Sequence, residues 1–102
     1  MDLFELTGIQ RDLLYVIAGF DKPSGQELKS ELEDQTGDDI THGRLYPNLD
    51  TLVNSGYVEK GELDRRTNWY RLAEKGRQAL TSRHEWEDSY IAEEPTLNPR
   101  GQ

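Results

Sequence analysis

The chain has 102 residues, of which 33% are hydrophobic and none is cysteine, and its formal charge is −8. That length holds one ordinary domain, and so lean an apolar content predicts a core completed by a second subunit. Without cysteine there are no disulfides, thiolate metal sites, cysteine nucleophiles or thiol redox sensors.

Thr7-Gly8-Ile9-Gln10 has the T-x-x-Q form of a capping box and starts a helix, with Ile9, Leu13, Leu14 and Ile17 on one face to about Phe20. Asp21-Lys22-Pro23 breaks it, and Ser24-Gly25-Gln26-Glu27 is a second capping box. Only Leu28 and Leu32 mark the apolar side of the helix that follows, which ends near Gly37 and is expected to lie against one neighbour. Thr41 caps a third helix. Its Leu45, Leu49, Leu52 and Val53 form one apolar stripe, and Gly56 stops it. Stepping round that helix puts Gly43, Arg44, Pro47, Thr51 and Asn54 opposite the stripe, with Tyr46 and Asn48 on the flanks. Pro47 cannot donate its helical hydrogen bond and crowds the carbonyl of Gly43. A distorted first turn is expected, or a helix whose regular part starts close to Pro47.

Tyr57–Glu62 and Asn68–Leu72 read as two strands joined through the polar segment Leu63-Asp64-Arg65-Arg66-Thr67, a hairpin with a basic tip. The last helix is predicted over Glu74–Glu93, with Ala79, Leu80, Trp86, Tyr90 and Ile91 as its apolar positions. Residues 94–102 carry two prolines and are expected to form a mobile tail. No apolar run approaches the roughly 18 residues of a membrane span, and the N-terminus lacks a signal pattern. A cytoplasmic protein with no membrane partner is expected.

The order helix, helix, helix, hairpin, helix defines an α+β, mainly α fold: a winged helix-turn-helix followed by one C-terminal helix. The expected division is an N-terminal extension over 1–6, the winged helix-turn-helix over 7–72 and a dimerisation helix over 73–93. In this arrangement the third helix enters the DNA major groove, and the wing places cations on the backbone or in the minor groove. Residues 1–37 hold three basic side chains (Arg11, Lys22, Lys29) against eight acidic ones. Residues 41–72 hold five (Arg44, Lys60, Arg65, Arg66, Arg71) against four (Asp50, Glu59, Glu62, Asp64). The basic side chains therefore gather where a nucleic acid would bind.

Gly43 and Pro47 suit close approach to DNA, and Arg44 can give two donors to guanine O6 and N7. Asn48, Thr51 and the Tyr46 hydroxyl can donate to phosphates or bases, though Tyr46 also fits a half-buried packing position. Thr41 and His42 open the helix, where His42 either reads DNA or caps the first turn. Arg65 and Arg66 at the wing tip suit phosphates, with Thr67 and Asn68 beside them. Asp50 is expected to face away from the DNA. Leu80, Arg83, Trp86, Tyr90 and Ile91 form the candidate dimer seam, since Trp86, Tyr90 and Ile91 would otherwise leave an apolar strip exposed. His42 and His84 lack partners at metal-ligand spacing, so no metal and no cofactor are expected.

The segments His42-Gly43-Arg44-Leu45-Tyr46-Pro47-Asn48-Leu49-Asp50-Thr51-Leu52, Gly56-Tyr57-Val58, Asp64 to Leu72 and Glu74-Lys75-Gly76-Arg77 resemble the PadR family of winged-helix transcriptional regulators. With its acidic composition the chain is most similar to the haloarchaeal members. The resemblance covers about residues 8–91. It implies a homodimer joined through the last helix and often the N-terminal helix, acting as repressor or activator on double-stranded DNA at palindromic promoter sites. Two features depart from the family pattern. Ala73 stands where many members have a capping threonine, and only one C-terminal helix is visible, so a small-molecule effector is not evident.

The acidic total charge leaves a second reading, a winged helix that binds protein and not DNA. No enzyme is expected: the sequence shows no nucleophile–base pair, no phosphate loop and no ligand cluster. An acidic surface poor in lysine also suits a high-salt cytoplasm, where charge repulsion is screened.

Overall fold

Both capping boxes form. The computed structural model of the chain describes residues 3–91. Helix α1 spans Gly8–Gly19, with the Thr7 hydroxyl accepting from the Gln10 N–H and the Gln10 side chain accepting from the Thr7 N–H. Helix α2 spans Gly25–Thr36 with the same reciprocal pair between Ser24 and Glu27, and Gly37 ends it in a left-handed conformation at φ 77°. Each box satisfies two donors that a helix start otherwise leaves open. The α2–α3 turn is held by Glu33. Its carboxylate accepts from the Ile40 N–H at 2.8 Å and pairs with Lys29 at 3.0 Å, and the backbone bond first, then Lys29, holds its pKa below the usual carboxylate range.

Helix α3 spans His42–Asn54 and is regular from its first residue, with Pro47 inside it. The predicted distortion of the first turn does not occur. The carbonyl that Pro47 leaves without a helical donor belongs to Gly43, an exposed residue. The Thr41 hydroxyl meanwhile accepts from the Arg44 N–H at 3.2 Å and fixes the start. The helix ends in a Schellman motif: Gly56 is left-handed at φ 84°, its N–H reaches the Val53 carbonyl, and the Tyr57 N–H reaches that of Leu52. This commits Tyr57 to the helix cap, so strand β1 begins one residue later than predicted, at Val58.

Strands β1 (Val58–Asp64) and β2 (Thr67–Leu72) pair antiparallel, with Lys60 opposite Tyr70 and Glu62 opposite Asn68. The register shifts between Glu62 and Asp64, which bulges Leu63 outward, so the strands run closer to the tip than expected and only Arg65-Arg66 turn. The link between α1 and α2 adds to the other edge of β2, through the Tyr70 N–H to the Pro23 carbonyl at 2.9 Å and a bridge between Ser24 and Trp69. Helix α2 therefore touches α1, α3 and β2, where one neighbour was expected.

Helix α4 spans Glu74–Asp88, five residues short of the predicted end. The Ser89 hydroxyl donates to the Trp86 carbonyl at 2.6 Å, and the Tyr90 and Ile91 N–H groups close i−3 bonds on Glu87 and Asp88. This side-chain competitor and the tighter bonds end the α-helical ladder. Positions 92 and 93 of the predicted helix, and the predicted tail, lie outside the described residues. The start of α4 at Ala73 has no side-chain cap. Its φ of −75° and ψ of 165° are those of a capping residue. Ala73→Thr is expected to add about 1 kcal/mol of stability and to raise Tm by roughly 5 °C, measured by thermal unfolding.

The core is formed by Leu13, Leu14 and Ile17 of α1, Leu28 and Leu32 of α2, the α3 stripe of Leu45, Leu49 and Leu52, then Tyr57, Val58, Tyr70 and Leu80. Each such leucine contributes about 1.5–3 kcal/mol on burial. Leu3 and Leu6 are buried in the same core, and the Arg11 guanidinium donates to both their carbonyls. Residues 3–6 are thus pinned onto the domain.

Candidate nucleic-acid interface

The stripe that buries Leu45, Leu49 and Leu52 fixes which side of α3 faces outward. Thr41, His42, Gly43, Arg44 and Pro47 are exposed on that side, and Thr51 is half-buried beside them. The Thr51 hydroxyl donates to the Pro47 carbonyl at 3.1 Å. Tyr46 lies at the flank. Its ring meets His42 edge-on at 5.6 Å, and its hydroxyl end rests on Gly25 at the first turn of α2, where a Cβ would overlap it. Glycine at that position permits the close approach.

Asn48 is engaged inside the protein. Its Oδ1 accepts from Gln10 Nε2 at 2.9 Å and its Nδ2 donates to the Arg44 carbonyl at 2.6 Å. Gln10 is buried and also belongs to the α1 capping box, so one chain of bonds runs from Thr7 through Gln10 and Asn48 to the helix that carries Arg44. Removing one partner strands a buried amide. Asn48→Ala is expected to lower stability by about 1–3 kcal/mol, measured by urea unfolding.

At the wing, Arg65 and Arg66 are exposed and form the turn itself, while Thr67 and Asn68 are half-buried at the start of β2. The Asp64 carboxylate accepts from the Arg66 N–H at 2.9 Å, and this bond holds its pKa below the usual range. The β-ribbon is braced from one side. The Trp69 ring lies on Gly61 so closely that a Cβ there would overlap it, and Lys22 Nζ sits 4.8 Å from the ring centroid. Burial raises the pKa of the Tyr70 hydroxyl on the opposite face.

The cations of the domain fall into two groups. Lys29, Lys60, Arg71, Arg77 and Arg83 pair with carboxylates, Arg11 and Lys75 donate to backbone carbonyls, and Lys22 covers Trp69. Among the described residues, Arg44, Arg65 and Arg66 are the cationic side chains that no group of the chain holds. Arg44 stands on the exposed side of α3, and Arg65 and Arg66 form the wing tip. Asp50, expected to face away, turns toward β1 and pairs with Lys60 at 3.8 Å. Lys60 was not among the candidate residues. The signal for it was the strand alternation that puts it on the same face as buried Val58.

The candidate dimer residues divide. Leu80 belongs to the core. Arg83 pairs with Glu87 at 3.1 Å, and its guanidinium lies about equally close to the Phe4 and Trp86 rings, 5.0 and 4.8 Å from their centroids. Trp86 and Ile91 are 37% and 77% exposed, and Tyr90 packs edge-on against Trp86 at 5.4 Å. Phe4, 60% exposed and 4.9 Å from Trp86, extends this aromatic row and was missed, because a three-residue turn gives no periodicity to read. Beside the row a groove of about 380 Å³ is lined by Phe4, Tyr57, Lys75, Arg83 and Trp86. Among the described residues no cluster of histidines and carboxylates could hold a metal, and no helix is long and apolar enough to cross a membrane.

A three-helix core whose third helix carries unpaired Arg44 on its exposed side, and a two-stranded wing tipped by Arg65 and Arg66, define a winged helix-turn-helix of the DNA-binding class. The chain belongs to the PadR-like family of transcriptional regulators, whose model matches residues 13–82. Members of that family are DNA-binding regulators and not enzymes. The chain is similar to RosR of H. salinarum, from crystals grown with NaBr, at 45% identity. That match covers 91% of this chain and 84% of that one, with a TM-score of 0.84. The complex of RosR with S1 matches at 42% identity and a TM-score of 0.84, covering 98% and 87%. FabT of Streptococcus pneumoniae in complex with DNA shares the fold at 22% identity and a TM-score of 0.67, covering 83% and 57%. Among curated proteins none matches the chain significantly.

Proposed function

We propose that this DNA-binding regulator works as a homodimer, reading a palindromic promoter site with α3 in the major groove and laying its wing on the backbone or in the minor groove. The observation that carries this is the set of three arginines without a partner among the described residues, Arg44 on α3 and Arg65 and Arg66 on the wing, where the other described cations are held. Arg44 reads a base and the wing pair holds phosphates. Gly43 and Pro47 keep the helix surface low, so that the backbone comes close to the groove floor. FabT, whose structure is a complex with DNA, and F93 from STIV, a winged-helix DNA-binding protein, share this fold.

The exposed row of Phe4, Trp86, Tyr90 and Ile91 is the surface proposed for the second copy, since a monomer seldom exposes such a strip. With eight net negative charges, the protein binds a polyanion best where long-range repulsion is screened, and the Debye length is only about 3 Å at 1 M salt. The cytoplasm of a salt-accumulating cell is the proposed setting. Fluorescence anisotropy with the DNA upstream of the protein's own coding sequence, in low to molar KCl against scrambled competitor, tests the reading. Specific binding that persists at molar salt, with a dimer mass by light scattering, is expected. A folded protein that binds no DNA at any salt would favour the protein-interaction alternative.

A further inference from the structure

Asp50 and Lys60 meet across the cleft between α3 and the wing. At about 100° per residue Asp50 stands roughly 60° from Pro47, on the outer side of the helix. Strand alternation turns Lys60 and Glu62 toward the same side of the hairpin as Val58, with Lys60 opposite Tyr70. The two side chains are 57% and 44% exposed, and Lys60 Nζ lies 3.8 Å from Asp50 Oδ1. An exposed pair of this length adds little to stability. It can be broken easily, and it sits between the two elements that carry the unpaired arginines.

We propose that Lys60 is a further phosphate-binding cation of this face, and that Asp50 is its internal counter-ion, exchanged for a DNA phosphate on binding. The proposal rests on the DNA-binding reading above. The exchange balances in charge. A phosphate takes the Lys60 ammonium and releases the cation condensed on it. The freed Asp50 carboxylate takes up one cation from solution. The contact thus gains a phosphate without net release of salt, so it survives at salt concentrations that weaken ordinary contacts. Arg44, Arg65 and Arg66 have no such counter-ion among the described residues and release salt in the ordinary way. Glu62, on the same side and nearer the tip, has no cation paired to it among the described residues and carries no exchange.

The test is a four-protein cycle: the native chain, Asp50→Asn, Lys60→Gln and the double variant. Affinity for a labelled duplex from the upstream region is measured by anisotropy from low to molar KCl. Both positions are half-exposed, so the variants fold. Asp50→Asn is expected to tighten binding about threefold at low salt and to steepen log K against log salt by about one. Lys60→Gln is expected to weaken binding and leave the slope of the native chain. In the Lys60→Gln background, Asp50→Asn is expected to leave the slope unchanged. Equal steepening with and without Lys60 would make Asp50 a plain repulsive charge and overturn the exchange, as would a slope that Asp50→Asn does not move. A native chain that binds no DNA would overturn the DNA-binding reading and the exchange with it. Native binding with an additive cycle overturns the exchange alone.

Discussion

Replacing Arg65 and Arg66 together by alanine is expected to weaken DNA binding about tenfold or more on every sequence, and to make the salt slope shallower by about two. Both side chains are exposed and neither is held by another group among the described residues, so the double variant keeps the fold. The turn itself is fixed by the Asp64 carboxylate on the Arg66 N–H, a backbone contact that alanine retains. Arg44→Ala is expected to behave differently. A bidentate base contact separates right from wrong bases by about 1–3 kcal/mol, so its loss flattens the preference among sequences. Anisotropy on a specific duplex and a scrambled one separates the two effects. Unchanged affinity in the wing variant would remove the phosphate role of the tip.

Gly76→Val is expected to cost about 2–3 kcal/mol, the largest stability loss predicted for a residue outside the apolar core. A Cβ at Gly76 would overlap the Tyr57 carbonyl oxygen, a backbone atom that also accepts from the Ala73 N–H at 3.0 Å. The carbonyl cannot swing away, because the Tyr57 N–H closes the C-terminal motif of α3. Helix α4 must then lift off the domain. Gly76→Ala is expected to destabilise as well, although alanine gains about 1 kcal/mol in helix propensity. Urea unfolding measures both, and a Gly76→Ala protein as stable as the native chain would contradict the close approach. The same junction holds Lys75, whose ammonium donates to the Ser55 carbonyl at 2.6 Å at the end of α3 and lies over the Tyr57 ring. The helix that carries Trp86 is thereby tied to the helix that carries Arg44.

The parts of the fold that local chemistry specifies were readable in the sequence. The two capping boxes, the α3 stripe and the stop at Gly56 depend on residues within a turn of each other, and each forms as its motif requires. Boundaries set by competition between local groups were not readable. The end of α4 depends on the Ser89 hydroxyl outcompeting the helical ladder at Trp86, and the start of β1 on Tyr57 being taken by the helix cap. Contacts between distant segments were also hidden. Leu3 and Leu6 enter the core through a three-residue turn, and Gln10 meets Asn48 across 38 residues. For the site, the exposed positions of α3 and the wing tip followed from the helix period and the hairpin. The side chains that are internally engaged did not, because Asn48 and Asp50 find partners on α1 and β1.

The face formed by α3 and the wing is the central claim, and amide shift mapping by NMR tests it most directly. The ¹⁵N-labelled protein would be titrated with a duplex from the upstream region in molar KCl. Shifts are expected over residues 41–46, at Thr51 and over the wing at 64–68, with α4 unmoved beyond its tie at Lys75. Shifts confined to α4 and the aromatic row, or no shifts at any salt, would contradict it.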